Sequence, residues 1–205
     1  MKLKVCGLSN PIQVETCLGL DISYCGFILN YPKSHRYISF NKAKELTSIN
    51  KKKTNFVGVL VRPTLDELNK FSDLNLDYFQ LYGDFNSEKL IEIRKKFKKK
   101  IISCIQVRKK EDIDKYKLIE KGSDIILWDS SGYEESISWN YQWLEAVSTK
   151  VEKMVAGNIT MDKIQDLKNL ANIIDVSGAL ETNKVKDINK IKKFNTEIKK
   201  LNNEN

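Results

Sequence analysis

Asn55-Phe56-Val57-Gly58-Val59-Leu60-Val61 is an apolar, β-branched run, and after Arg62-Pro63 it is followed by Thr64-Leu65-Asp66-Glu67. The run reads as a buried strand. Thr64 with Glu67 three residues on reads as a capping box, in which hydroxyl and carboxylate each satisfy a backbone N–H at a helix start. One strand feeding one helix is a βα unit, and the same switch recurs along the chain. Candidate strands are Leu3 to Cys6, Tyr24 to Leu29, Asn55 to Val61, Tyr78 to Leu81, Ile101 to Val107, Ile125 to Trp128, Lys153 to Ala156 and Ile173 to Val176. Such alternation predicts an α/β fold with a parallel sheet, and eight strands predict a single-domain (β/α)8 TIM barrel. A flavodoxin-like sheet with fewer strands is the structural alternative.

Two further helix starts agree. Asn10-Pro11 offers a cap followed by proline at the first helical position, and Thr160 precedes Met161-Asp162-Lys163-Ile164. The highly charged segment from Lys109 to Gly122 has room for one helix and is the least regular. No linker rich in Gly, Ser or Pro divides the 205 residues, so the barrel is expected over 1–198, with a frayed polar tail over 199–205.

With 41% hydrophobic and 30% charged residues, the chain has the composition of a folded domain. No apolar run approaches the roughly 20 residues of a membrane span, and the start lacks the pattern of a secretion signal, so a cytoplasmic location is expected. The net charge of +8 raises the possibility of nucleic acid, but the arginines are only Arg36, Arg62, Arg94 and Arg108. The remaining basic charge is lysine spread over polar faces, which reads as a solvated surface whose field would collect an anionic substrate. Cys6, Cys17, Cys25 and Cys104 show no CxxC spacing, and His35 is the single histidine, so neither a disulfide framework nor a metal site is indicated.

Two residues carry candidate chemistry. Lys4-Val5-Cys6-Gly7-Leu8 ends a strand in a glycine turn with a thiol at its tip, and Ile125-Ile126-Leu127-Trp128 delivers Asp129 to the same edge. In a barrel that edge gathers the active site. The bland readings are a packing thiol and a turn-capping carboxylate before Ser130-Ser131-Gly132.

Taken in order, KVCGLS, GFIL with SHRYIS, FVGVLV, DYFQLYG, IILWDSSG with SW after it, VAGNI and IDVSGALE span nearly the whole chain. The series resembles the phosphoribosylanthranilate isomerase family of tryptophan biosynthesis. The resemblance implies an Amadori rearrangement of N-(5-phosphoribosyl)anthranilate to the carboxyphenylamino-deoxyribulose phosphate, with no metal or organic cofactor. It implies Asp129 as general acid and Cys6 as general base. For this, Asp129 must be held protonated by a desolvated site, and the Cys6 thiol must be shifted down to supply thiolate. Arg36 matches an arginine near the anthranilate carboxylate, and Asp175 an aspartate near the anthranilate amine or ribose. Gly157-Asn158 and Ser177-Gly178-Ala179 are the candidate phosphate turns. The expected partner is a small phosphosugar, with no nucleic acid or membrane, handled by a monomer or homodimer.

Four departures from the family pattern stand out. Tyr82 replaces the histidine of QLHG, Asn158 replaces a second glycine, and Ala179 puts a methyl group at the second phosphate turn. The glycine-rich loop after Asp129 is reduced to Ser131-Gly132-Tyr133 with Glu134-Glu135. Another phosphosugar aminoaldose isomerase on the same barrel is the alternative within enzymes, and a basic nucleic-acid-binding protein is the alternative outside them.

Overall fold

A computed structural model describes residues 1–130 and 137–204. Eight parallel strands close into a barrel in sequence order: β1 (Lys2–Cys6), β2 (Tyr24–Ile28), β3 (Asn55–Val61), β4 (Tyr78–Tyr82), β5 (Lys100–Val107), β6 (Ile125–Ser130), β7 (Glu152–Val155) and β8 (Ile173–Val176). Closure comes from β1, which pairs with β2 on one side (Lys4 opposite Tyr24) and with β8 on the other (Lys4 opposite Asp175). All eight predicted strands are present, and the flavodoxin-like alternative is excluded.

Strand side chains alternate between two cores. Tyr24, Val57, Val59, Tyr78, Ile102, Leu127, Met154 and Ile173 fill the barrel. Val5, Phe27, Phe56, Phe79, Trp128 and Ile174 point outward, beneath the helices. Trp128 is wholly buried there, and its indole N–H donates to the Ile113 carbonyl at 3.2 Å, so no polar atom offsets its burial.

The helices of the first half are regular: α1 (Pro11–Gly19), α2 (Phe40–Thr47), α3 (Leu65–Ser72) and α4 (Ser87–Phe97). Asn10 caps α1 by accepting from the Gln13 N–H, and Thr64 and Glu67 form the predicted capping box on α3. The second half is not regular. Lys109 to Gly122 contains a 3-10 turn, the four-residue α5 (Tyr116–Ile119) and a second 3-10 turn instead of one helix. After β6 the described residues hold a 3-10 segment, Tyr141–Ala146, and after β7 a 3-10 turn leads into α6 (Ile164–Leu167), with no side-chain cap from Thr160. A small hairpin of β9 (Glu181–Thr182) and β10 (Val185–Lys186), absent from the sequence reading, follows β8.

The expected frayed tail is corrected. The last helix, α7 (Ile188–Asn203), takes in its residues 199–203, because Leu201 continues the apolar stripe of Ile191, Phe194 and Ile198 and is buried. Asn202 accepts from the Met1 amino group at 2.6 Å and donates to the Met1 carbonyl at 2.9 Å. Among the described residues, no helix is long and apolar enough to cross a membrane.

Candidate active site

The C-terminal ends of the strands surround an open cavity. Cys6, Arg36, Asp129, Gly157, Asn158, Asp175, Ser177 and Gly178, the eight residues expected at the site, all line it, together with Tyr82 and the apolar Ile28, Val59 and Val61. Cys6 ends β1 and Asp129 lies near the end of β6, so the barrel brings together residues far apart in sequence.

Asp129 is held at both oxygens. The Tyr82 hydroxyl donates to Oδ2 at 2.6 Å and the Ser130 N–H donates to Oδ1 at 2.7 Å. Burial pushes the carboxyl up to about 6, against the lowering effect of those donors, and the negative charge of Asp175 adds to the rise. The carboxyl is thus shifted in the direction that the expected acid role requires.

The thiol behaves differently. Burial raises Cys6 above its ordinary value, and Asp175 adds to the rise, while Lys4 and Lys186 offset it only in part. The downward shift that the base role would require is not found, because desolvation outweighs two nearby ammonium groups. Lys4 itself is wholly buried on β1, with Nζ 2.7 Å from Asp175 Oδ2. Burial would lower it, but Asp175 and Cys6 hold it charged and above its ordinary value.

Arg36 reaches the rim and engages a partner that the sequence reading missed. Its Nε and Nη2 donate to the two oxygens of Glu181 at 2.6 and 2.9 Å, a bidentate pair. Lys186 also donates to Glu181, and His35 Nε2 lies 3.1 Å from it. Although partial burial works the other way, Arg36 and Lys186 pull the Glu181 carboxyl down to about 2.

The turn after β7 has the backbone the sequence reading anticipated. Gly157 has φ +104° and Asn158 φ +49°, the latter in the left-handed region that asparagine tolerates. A Cβ on Gly157 would stand 2.9 Å from the Ile137 carbonyl oxygen and 3.0 Å from the Trp139 ring. Lys163 Nζ donates to the Asn158 carbonyl at 2.9 Å, and Trp139 Nε1 to the Ala156 carbonyl at 2.9 Å. After β8, Ser177 Oγ donates to the Cys6 carbonyl at 2.9 Å. The shortened loop Ser131-Gly132-Tyr133 with Glu134-Glu135 lies outside the described residues.

The family profile described as N-(5'phosphoribosyl)anthranilate (PRA) isomerase matches residues 3–197. The chain belongs to this family. It is 33% identical over 204 residues to the N-(5'-phosphoribosyl)anthranilate isomerase of Streptococcus mutans serotype c, covering 97% of this chain and 99% of the relative. The barrel superposes on the phosphoribosyl anthranilate isomerase of Thermus thermophilus with TM-score 0.84 at 20% identity, over 98% of this chain and 100% of that one. A further solved phosphoribosyl anthranilate isomerase is in complex with reduced 1-(o-carboxyphenylamino)-1-deoxyribulose 5-phosphate, with TM-score 0.77, 22% identity and coverage of 98% and 99%.

Tyr82, which stands where the phosphoribosylanthranilate isomerase pattern has histidine, hydrogen-bonds to Asp129. Of the residues that sequence reasoning missed, Lys4 had a signal: a lysine inside an apolar strand, two positions before Cys6 and so on the same inward face. Glu181 had one too, as the last residue of the quoted IDVSGALE, whereas Lys186 had none, because the hairpin that presents it has two-residue strands.

Proposed function

We propose that this chain isomerises N-(5'-phosphoribosyl)anthranilate in tryptophan biosynthesis, the reaction after which its family is named, with Asp129 as acid and Cys6 as base. Asp129 gives its proton to the ribose ring oxygen, and the C1–O bond breaks to leave a hydroxyl at C4 and a protonated Schiff base at C1. The Cys6 thiolate then removes the proton at C2, the electrons neutralise the Schiff-base nitrogen, and the resulting enamine-enol tautomerises to the ketone. The observation that carries the reading is a desolvated carboxyl, raised to about 6, sharing one cavity with the Cys6 thiol.

Asp175 Oδ1 supports the binding half of the reading: it is buried, and among the described residues it has no hydrogen-bond partner. An acceptor left so at a cavity wall calls for a donor from the ligand, and the anthranilate amine or a ribose hydroxyl would supply one. Arg36 is assigned to the anthranilate carboxylate, with Glu181 fixing its plane. Gly157, Asn158, Ser177 and Gly178 are assigned to the phosphate, as backbone turns at the strand ends. The small phosphosugar is handled in the cytoplasm by a monomer or homodimer, and sedimentation decides between one copy and two.

The test is the loss of anthranilate fluorescence when enzymatically generated phosphoribosylanthranilate is added to wild type, Cys6→Ala and Asp129→Asn. Decay in wild type, slowed by roughly 10²-fold or more in both variants, is expected. No decay with folded wild type overturns the activity, and a variant that keeps the wild-type rate overturns that residue's role.

A further inference from the structure

The strand register sets up a three-residue arrangement beside the reacting thiol. In the β1–β8 ladder Lys4 is paired with Asp175, and in the β1–β2 ladder Cys6 is paired with Gly26. Lys4 and Cys6 are two residues apart on β1, so both side chains enter the barrel on one face. The Lys4 ammonium is 2.7 Å from Asp175 Oδ2. With three donors, it can keep that bond and still turn an N–H toward the sulfur. A Cβ on Gly26 would stand 3.0 Å from the Cys6 sulfur and 3.1 Å from Lys4 Nζ, so ammonium and thiol converge on the space that this glycine leaves open.

A buried lysine–aspartate pair alone is ordinary barrel filling, and an apolar pair of similar volume would hold the fold as well. The reach of the ammonium toward Cys6, across the surface of a glycine, is what a filler does not require. We propose that Lys4 is a positioning residue that acts through Cys6, its ammonium steadied by Asp175 and admitted by Gly26 so that it stabilises the thiolate formed at the barrel mouth. The proposal rests on the reading of Cys6 as the base. The charged groups facing the sulfur are Lys4 on its own strand, Asp175 on β8 and Lys186 on β10. Of these, Asp175 acts against the thiolate and the two lysines act for it.

The experiment is a pH titration of the thiolate ultraviolet absorbance, taken as the difference between each protein and the same protein carrying Cys6→Ala. This isolates Cys6 from Cys17, Cys25 and Cys104. Lys4→Met is expected to move the Cys6 midpoint to higher pH by about one unit, roughly a tenfold loss of thiolate at a given pH. Asp175→Asn is expected to move it the opposite way. If Lys4→Met does not fold because Asp175 is stranded, Lys4→Met/Asp175→Asn removes the pair together, and its midpoint is expected above that of Asp175→Asn alone. Opposite signs are a result that a filling role does not produce. A midpoint unmoved in Lys4→Met, or unmoved between Asp175→Asn and the double variant, overturns the proposal. Retained turnover in Cys6→Ala overturns the role of the base instead, and the titration distinguishes the two failures because it reads ionisation without substrate.

Discussion

The Tyr82 hydroxyl stands 2.6 Å from Asp129 Oδ2 and donates to it, across 47 residues of sequence. This bond favours the ionised carboxylate and so lowers a group that burial raises. In Tyr82→Phe the Asp129 carboxyl is therefore expected to rise further, and the acid limb of kcat/KM to move to higher pH by roughly half to one unit. A pH–rate profile of the variant against wild type checks it. An acid limb that stays in place means that the bond does not tune the acid.

The pair itself dictates the shape of the wild-type profile. With Asp129 at about 6 and Cys6 raised, the productive form, protonated acid with ionised base, is a minor arrangement of the singly protonated pair. Below about 6 both groups hold protons and the base is lost. Above the thiol's titration both are ionised and the acid is lost. A flat-topped bell is expected, with its acid limb near 6 and its alkaline limb above an ordinary thiol.

Glu181 contributes to stability with a definite sign. Its folded carboxyl is depressed from 4.5 to about 2, so its contribution is complete above 4.5 and is lost as pH falls through about 2. Glu181→Gln is expected to be less stable near neutrality, since Arg36 and Lys186 lose their shared partner, and to show a flatter fall in stability over that acid window. Denaturant midpoints at stepped pH measure both effects, and KM is expected to rise as Arg36 loses its orientation.

At the far end of the chain, Leu201→Ala is expected to cost about 2 kcal/mol or more, the ordinary penalty for emptying a buried leucine site. Leu118→Ala, at a side chain 68% exposed, is expected to cost less than about 0.5 kcal/mol. Urea unfolding of the two variants decides whether the last turns of α7 belong to the core.

The barrel was legible because its strands carry local signals. Asn55–Val61 and Ile173–Val176 begin and end where their β-branched runs do. The helices after β5 were less legible, since 3-10 turns and four-residue helices are too short to display a period. Cys6 and Asp129 could be read because each lies at the C-terminal end of a strand, before a glycine-bearing stretch of sequence. The upward shift of Cys6 could not, because it depends on how closely the barrel wall excludes water. The grip of Glu181 on Arg36 joins residues 145 apart, which no local pattern encodes.

The bond from Ser177 Oγ to the Cys6 carbonyl makes the turn assigned to the phosphate and the strand bearing the thiol a single mechanical piece. Under the proposed reaction, the inert end of the substrate then helps to aim the reactive one. An analogue lacking its phosphate should forfeit speed as well as affinity, since grip at a distance is converted into placement at the scissile C–H bond.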